Sequence, residues 1–193
     1  MPMNLPLALT WMRILIIPAF VGVFYLPTHF IGMEGANQIA TLIFVLAALT
    51  DWLDGYLARA WNQTSTFGAF LDPVADKLMV AAALIVLVQL GRIHAAVAMV
   101  IIGREITISA LREWMAQMGK TRSVAVSWLG KVKTTAQMVA IPFLLFDTSL
   151  GGMNWPTAHE IGAPLMWLAA WLTLISMIYY LRVAYQDGFE RAD

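Results

Sequence analysis

The chain contains no cysteine, which excludes disulfides, thiolate metal sites and a cysteine nucleophile together. It is also poor in charge. Only 12% of its 193 residues are Asp, Glu, Lys or Arg, whereas a soluble domain carries about a quarter. The 12 basic and 12 acidic residues cancel, so no general positive field draws in nucleic acid. What the chain has instead is apolar surface: 60% of residues are hydrophobic and the mean hydropathy is +0.72. Such a composition cannot clothe a soluble domain, and it excludes disorder and a coiled coil for the same reason. The expected class is an all-α integral membrane protein, with residues 1–193 forming a single membrane domain.

A spanning helix needs about 20 mostly apolar residues. Six stretches qualify, roughly Leu7–Leu26, Ala36–Trp61, Leu71–Leu90, Ile93–Met115, Lys133–Phe146 and Pro164–Tyr185. The connections carry breakers: Pro27, Gly32 and Gly35, then Gly91, then Gly119 and Gly130, then Gly151 and Gly152. No Lys or Arg precedes the first apolar run and the chain goes on to span again, so no cleaved signal peptide is expected. With six spans both termini share a side. That side holds Arg13, Arg59, Arg112, Lys120, Arg122, Lys131, Lys133, Arg182 and Arg191, and the opposite loops hold only Arg92. The bias puts both termini in the cytoplasm. Lys77 and Arg104 are left inside or near the bilayer.

Four of the 12 acidic residues fall between Asp51 and Asp76. Asp51, Asp54, Gly55 and Ala58 stand at i, i+3, i+4 and i+7, one face of the second helix. Gly68, Asp72 and Asp76 step by four along the third. A turn of about eight residues joins these antiparallel helices, so the two acidic faces are expected to meet near the cytoplasmic end. Asp72 before Pro73 also suits an N-cap with proline in the first turn. That explanation does not extend to Asp51 and Asp54, which lie late in their helix, where the macrodipole disfavours negative charge. An ionised Asp in a membrane segment costs about 2.5–3.5 kcal/mol even on insertion scales, and converging carboxylates repel. Bound divalent cations offset both costs. All-oxygen ligands suit Mg²⁺, Mn²⁺ or Ca²⁺; the three histidines, His29, His94 and His159, map to the opposite loops. Two ions sharing carboxylates suit phosphoryl-transfer chemistry on a diphosphate. Gly55, Ala58 and Gly68 leave room either for a bulky anion or for close helix packing. Arg59 either forks onto a phosphate or snorkels at a helix end.

The pattern Asp51-x2-Asp54-Gly55-x2-Ala58-Arg59-x8-Gly68-x3-Asp72-x3-Asp76 resembles the CDP-alcohol phosphatidyltransferase signature at all eight fixed positions. The opening Asn4-Leu5-Pro6 with Thr10 and Arg13 is similar to the start of these enzymes, although Leu7 stands where a second asparagine is common. The segments Gly103-Arg104-Glu105-Ile106 with Leu111-Arg112-Glu113, and Gly130 through Gln137, resemble the bacterial phosphatidylglycerophosphate-forming branch. The resemblance is weakest over 27–38 and beyond Phe146. It implies a six-helix homodimeric bundle in the bacterial inner membrane, with its active site facing the cytoplasm. It also implies transfer of a phosphatidyl group from CDP-diacylglycerol to sn-glycerol 3-phosphate with release of CMP, the committed step toward phosphatidylglycerol and cardiolipin.

By the same resemblance Asp51, Asp54, Asp72 and Asp76 bind two divalent ions, Mg²⁺ or Mn²⁺, and Asp76 is also the general base. Gly55, Ala58, Arg59, Gly68, Thr10 and Arg13 contact CDP-diacylglycerol. Arg104, Arg112, Lys131 and Lys133 are expected to hold the phosphate of the acceptor. Orientation bias alone also explains Lys120, Arg122, Lys131 and Lys133, and Arg112 shares a helix face with Glu105 at i+7, which would pair part of its charge. The competing readings are a synthase with another acceptor (inositol phosphate, phosphatidylglycerol or serine), a membrane prenyltransferase, or a cation transporter. The single compact acidic block argues against a prenyltransferase, which uses two separated Asp-rich motifs. The absence of matching carboxylates in the fifth and sixth segments argues against an ion path.

Overall fold

The computed structural model describes residues 5–60, 66–117, 128–148 and 157–189. These form six α-helices: α1 Leu5–Gly22, α2 Met33–Ala60, α3 Thr66–Gln89, α4 Ala95–Gln117, α5 Trp128–Phe146 and α6 Ala158–Phe189. A 3₁₀ turn at Val23–Tyr25 prolongs α1, and no β-strand occurs among the described residues. Each expected segment corresponds to one helix, but five begin earlier than expected, α1 and α2 by two or three residues and α3, α5 and α6 by five or six. Helix α6 starts at Ala158 rather than at Pro164 because Thr157 and Glu160 form a capping box. The Thr157 hydroxyl accepts from the Glu160 amide at 3.2 Å and the Glu160 carboxylate accepts from the Thr157 amide at 2.7 Å. Helix α3 starts at Thr66 rather than at Leu71, which leaves Pro73 in its interior. Asp72 is therefore not an N-cap, and the capping explanation for it falls.

Among the described residues three helical stretches are long and apolar enough to cross a membrane, Leu7–Tyr25, Met33–Asp51 and Ala158–Arg182, with a shorter apolar helix at Val132–Phe146. Helices α3 and α4 carry charge in mid-run, at Asp72, Asp76 and Lys77 and at Arg104, Glu105, Arg112 and Glu113. Leu15, Phe70, Ile85, Met99, Ile106 and Trp171 all point outward and are exposed, the pattern of a bundle solvated by lipid. Inside, Phe20, Phe44, Leu84, Leu87, Ile101, Ile141, Leu144 and Met166 form one contiguous core.

Helix α1 packs against both α2 and α3, more extensively than those two pack on each other; α5 lies on α6 and α2, and α4 on α6 and α3. The expectation that the second and third helices meet directly needs correction: α1 is the main surface joining them. The buried positions along α1 are Leu7, Thr10, Arg13 and Phe20, one stripe at helical spacing. On α2, Asp51 extends the buried stripe of Ala36, Ala40, Phe44 and Ala47; on α3, Asp72 and Asp76 interleave with Leu71, Ala75 and Met79. The same faces that build the core thus carry the carboxylates to one end of it.

At the opposite end Arg92 ties three connections together. Its guanidinium donates to the Leu144 and Leu145 carbonyls at 3.0 and 2.7 Å and to Asn37 Oδ1 at 2.8 Å, and pairs with Asp147 at 3.1 Å. These bonds satisfy carbonyls that the end of α5 leaves open. Burial pulls this guanidinium below its ordinary range and Asp147 opposes that pull. Arg92→Met strands two carbonyls and Asn37, and is expected to destabilise the fold by about 2–3 kcal/mol. For a chain of this size that is a Tm lowered by about 5–10 °C. Thermal unfolding in detergent checks it.

Candidate active site

Three helices bring the first group of expected residues together. From α1, Thr10 Oγ1 donates to Asp72 Oδ1 at 2.5 Å, and Arg13 Nη1 reaches Asp51 Oδ1 at 2.6 Å and Asp76 Oδ1 at 2.7 Å. Thr10 and Arg13 are buried, one helical turn apart, with 1% and 2% of their surface exposed. A single nitrogen therefore joins a carboxylate of α2 to a carboxylate of α3. Gly68 is buried in the first turns of α3, on the face of Asp72 and Asp76. Asp54, Gly55, Ala58 and Arg59 belong to α2 and Lys131 to α5, but their side chains lie outside the described residues.

This geometry decides what the site can hold. Two carboxylate oxygens aimed at one positive centre form a hard, all-oxygen donor set, which fits Mg²⁺ or Mn²⁺ and has no imidazole or thiolate to favour zinc or copper. Among the described residues no three His, Asp or Glu side chains close around one point, and the Arg13 guanidinium stands between Asp51 and Asp76.

A second cluster joins α4, α5 and α6. Arg104 and Lys133 are both buried, and both donate to the same oxygen of Glu105, Oε1: Arg104 Nη1 at 3.0 Å, and Lys133 Nζ closer. The Arg104 guanidinium also lies 5.8 Å from the centroid of the buried Tyr180 ring, a cation–π distance. The expectation that Glu105 pairs with Arg112 is corrected here: Glu105 turns to Arg104 and Lys133, and Arg112 is exposed. Lys77, left near the bilayer by the sequence, donates to Ser109 at 2.5 Å, and Ser109 in turn donates to the Glu105 carbonyl at 2.6 Å.

Between the two clusters lies a cavity of about 210 Å³, lined by Pro73, Asp76, Lys77, Val80, Glu105, Thr134, Gln137 and Met138. Asp76 stands at one side of it and Glu105 at the other. Arg104 and Lys133 do not line it; they sit beneath Glu105. Sequence reasoning missed Tyr180 because nothing in the apolar periodicity of α6 marks one tyrosine. It missed Gln137 as a cavity residue, although a glutamine in an apolar run was a readable signal.

Comparison with known proteins bears on the whole chain. The sequence profile described as CDP-alcohol phosphatidyltransferase matches residues 3–178. A protein of Salmonella typhimurium named CDP-diacylglycerol–glycerol-3-phosphate 3-phosphatidyltransferase is 50% identical over 195 residues, covering 99% of this chain and 100% of that protein. The Shigella flexneri protein of that name matches with the same identity and coverage. The Haemophilus influenzae protein of that name is 52% identical over 189 residues, 95% of each chain. With a profile match running from the first helix into the last, and relatives alike at half of all positions, this chain belongs to the CDP-alcohol phosphatidyltransferase family.

Proposed function

We propose that the chain transfers the phosphatidyl group of CDP-diacylglycerol to sn-glycerol 3-phosphate, giving phosphatidylglycerophosphate and CMP. The relatives named for that reaction support it, and one observation carries the chemistry: Arg13 Nη1 held between Asp51 and Asp76, a positive centre shared by carboxylates from two helices. The primary hydroxyl of the acceptor attacks the β-phosphorus in line, Asp76 takes the hydroxyl proton, and the bond to the CMP oxygen breaks. Asp51, Asp54, Asp72 and Asp76 would hold two divalent ions, whose charge neutralises the diphosphate and the leaving group. Thr10 and Arg13, with Gly55, Ala58, Arg59 and Gly68, face the cytidine diphosphate. Arg104, Arg112, Lys131 and Lys133 supply positive charge for the phosphate of the acceptor.

All six helices cross the membrane in this reading, with both termini and the carboxylates on the cytoplasmic side of a bacterial inner membrane. The Lys and Arg bias of the loops and the bacterial source of the relatives support that orientation. The working unit is a homodimer surrounded by membrane lipids.

The test is CMP release by purified protein given CDP-diacylglycerol, Mg²⁺ or Mn²⁺, and one alcohol at a time. sn-Glycerol 3-phosphate is expected to support turnover; inositol phosphate, serine and phosphatidylglycerol are not. Chelation is expected to slow release by about 10²-fold or more. Turnover with serine but not glycerol 3-phosphate overturns the acceptor, and turnover indifferent to chelator overturns the role of the carboxylates.

A further inference from the structure

Two buried cations on one carboxylate oxygen is an arrangement with a direction. The Arg104 and Lys133 side chains are 8% and 2% exposed, and Glu105, which joins them, is 28% exposed. Glu105 lines the cavity that also contains Asp76, and the cations do not. Anything entering from the Asp76 and Lys77 side therefore meets the Glu105 carboxylate before the Arg104 and Lys133 cations. The cluster also has an open donor: Arg104 Nε is buried with no hydrogen-bond partner among the described residues. A buried guanidinium donor left open is costly, and the usual explanation is a ligand or water that completes it. One carboxylate against two cations leaves one positive charge over, where a phosphate dianion would balance both. The cavity wall adds neutral polar groups at Thr134 and Gln137, and Gln137 is 5% exposed.

We propose that Glu105 is an internal placeholder for a phosphate: its carboxylate occupies the Arg104–Lys133 pair in the empty protein and swings aside when a phosphorylated acceptor enters. The inference deepens the functional reading above and rests on it for the identity of the acceptor. Its consequence is selectivity. A neutral alcohol has nothing to exchange for the carboxylate and leaves the cations closed, whereas a dianion replaces one charge with two and gains the open Nε donor. The exchange is a rotation of the Glu105 side chain with no covalent step. The released carboxylate stays in the polar cavity, within reach of the Lys77 side of the wall.

The experiment is thermal unfolding of the full chain in detergent, parent against Glu105→Gln, at matched ionic strength. The additions are chloride, glycerol, inorganic phosphate or sn-glycerol 3-phosphate. Glu105→Gln removes the charge and keeps the shape, leaving two buried cations uncompensated, so Tm falls by on the order of 10 °C in chloride. Inorganic phosphate and sn-glycerol 3-phosphate then recover most of that loss and raise the parent far less, while glycerol recovers none. In Glu105→Gln/Lys133→Gln the phosphate-specific recovery disappears. A Glu105→Gln protein as stable as the parent, or destabilised but indifferent to phosphate, overturns the proposal. If that variant yields no folded protein, Glu105→Asp decides. It draws the charge back by one methylene, competes less, and lowers KM for the acceptor several-fold at nearly constant kcat; an unchanged or raised KM overturns the placeholder. The two readings fail separately. Phosphate rescue without CMP release by the parent sinks the acceptor assignment, and CMP release without rescue sinks only Glu105.

Discussion

Asp76→Asn is expected to slow CMP release by about 10²–10⁴-fold, the range that loss of a positioned general base produces, while CDP-diacylglycerol still binds. Asparagine keeps the shape and retains one oxygen for Arg13 Nη1, which now sits 2.7 Å from Asp76 Oδ1, so the α1–α3 junction survives better than with alanine. What it loses is the ability to accept the hydroxyl proton. Among the described aspartates Asp76 lines the cavity that runs toward Glu105 and the buried cations, which supports the proposed proton-accepting role for it over Asp72, engaged by Thr10 on the α1 side. Single-turnover CMP release together with retention of labelled CDP-diacylglycerol on the purified protein separates the two effects. A variant within about tenfold of the parent rate would take the base role from Asp76. A variant that neither binds nor turns over would instead make Asp76 chiefly a ligand-holding residue.

Much of this was legible in the sequence, for identifiable reasons. The helices could be read because apolar runs bounded by Gly and Pro leave little choice in lipid. The carboxylates could be placed because Asp51 continues the Ala40–Phe44–Ala47 stripe and Asp76 continues Ala75–Met79. Helix starts were less legible. Pro73 and Pro164 looked like first-turn residues but stand inside helices, and the true start of α6 is set by the Thr157–Glu160 box. The largest omission concerned pairing across helices. That α1 joins α2 to α3, or that Glu105 turns to Lys133 on α5 rather than along its own helix to Arg112, depends on which faces meet. Spacing within one helix carries no information about that. The cavity between Asp76 and Glu105 escaped the sequence for the same reason: its walls come from three helices.

Arg13→Gln is the other substitution with a large expected effect, and it reads out stability and chemistry at once. Arg13 is 2% exposed and its Nη1 neutralises Asp51 and Asp76 together. Removing one side of a buried ion pair costs about 3–5 kcal/mol. The Asp51 and Asp76 side chains are 32% and 45% exposed, so solvent screens much of the stranded charge and about 2 kcal/mol is the better expectation. That corresponds to a Tm lowered by about 4–8 °C in chelator. Freed of the guanidinium, the two carboxylates should bind Mn²⁺ more readily, so adding Mn²⁺ should raise the Tm of the variant by more than it raises the parent. Mn²⁺ titration followed by electron paramagnetic resonance gives the same comparison without turnover. Catalysis is expected to move the other way, since the proposed contact of Arg13 with the diphosphate is then lost: CMP release should fall by about 10²-fold even with metal saturating. Gain in metal affinity with loss in rate would mark Arg13 as a residue that neutralises Asp51 and Asp76 and also serves the reaction. A variant with parental stability and parental Mn²⁺ affinity would reduce Arg13 to a helix-packing residue and leave the convergence of Asp51 and Asp76 without its explanation.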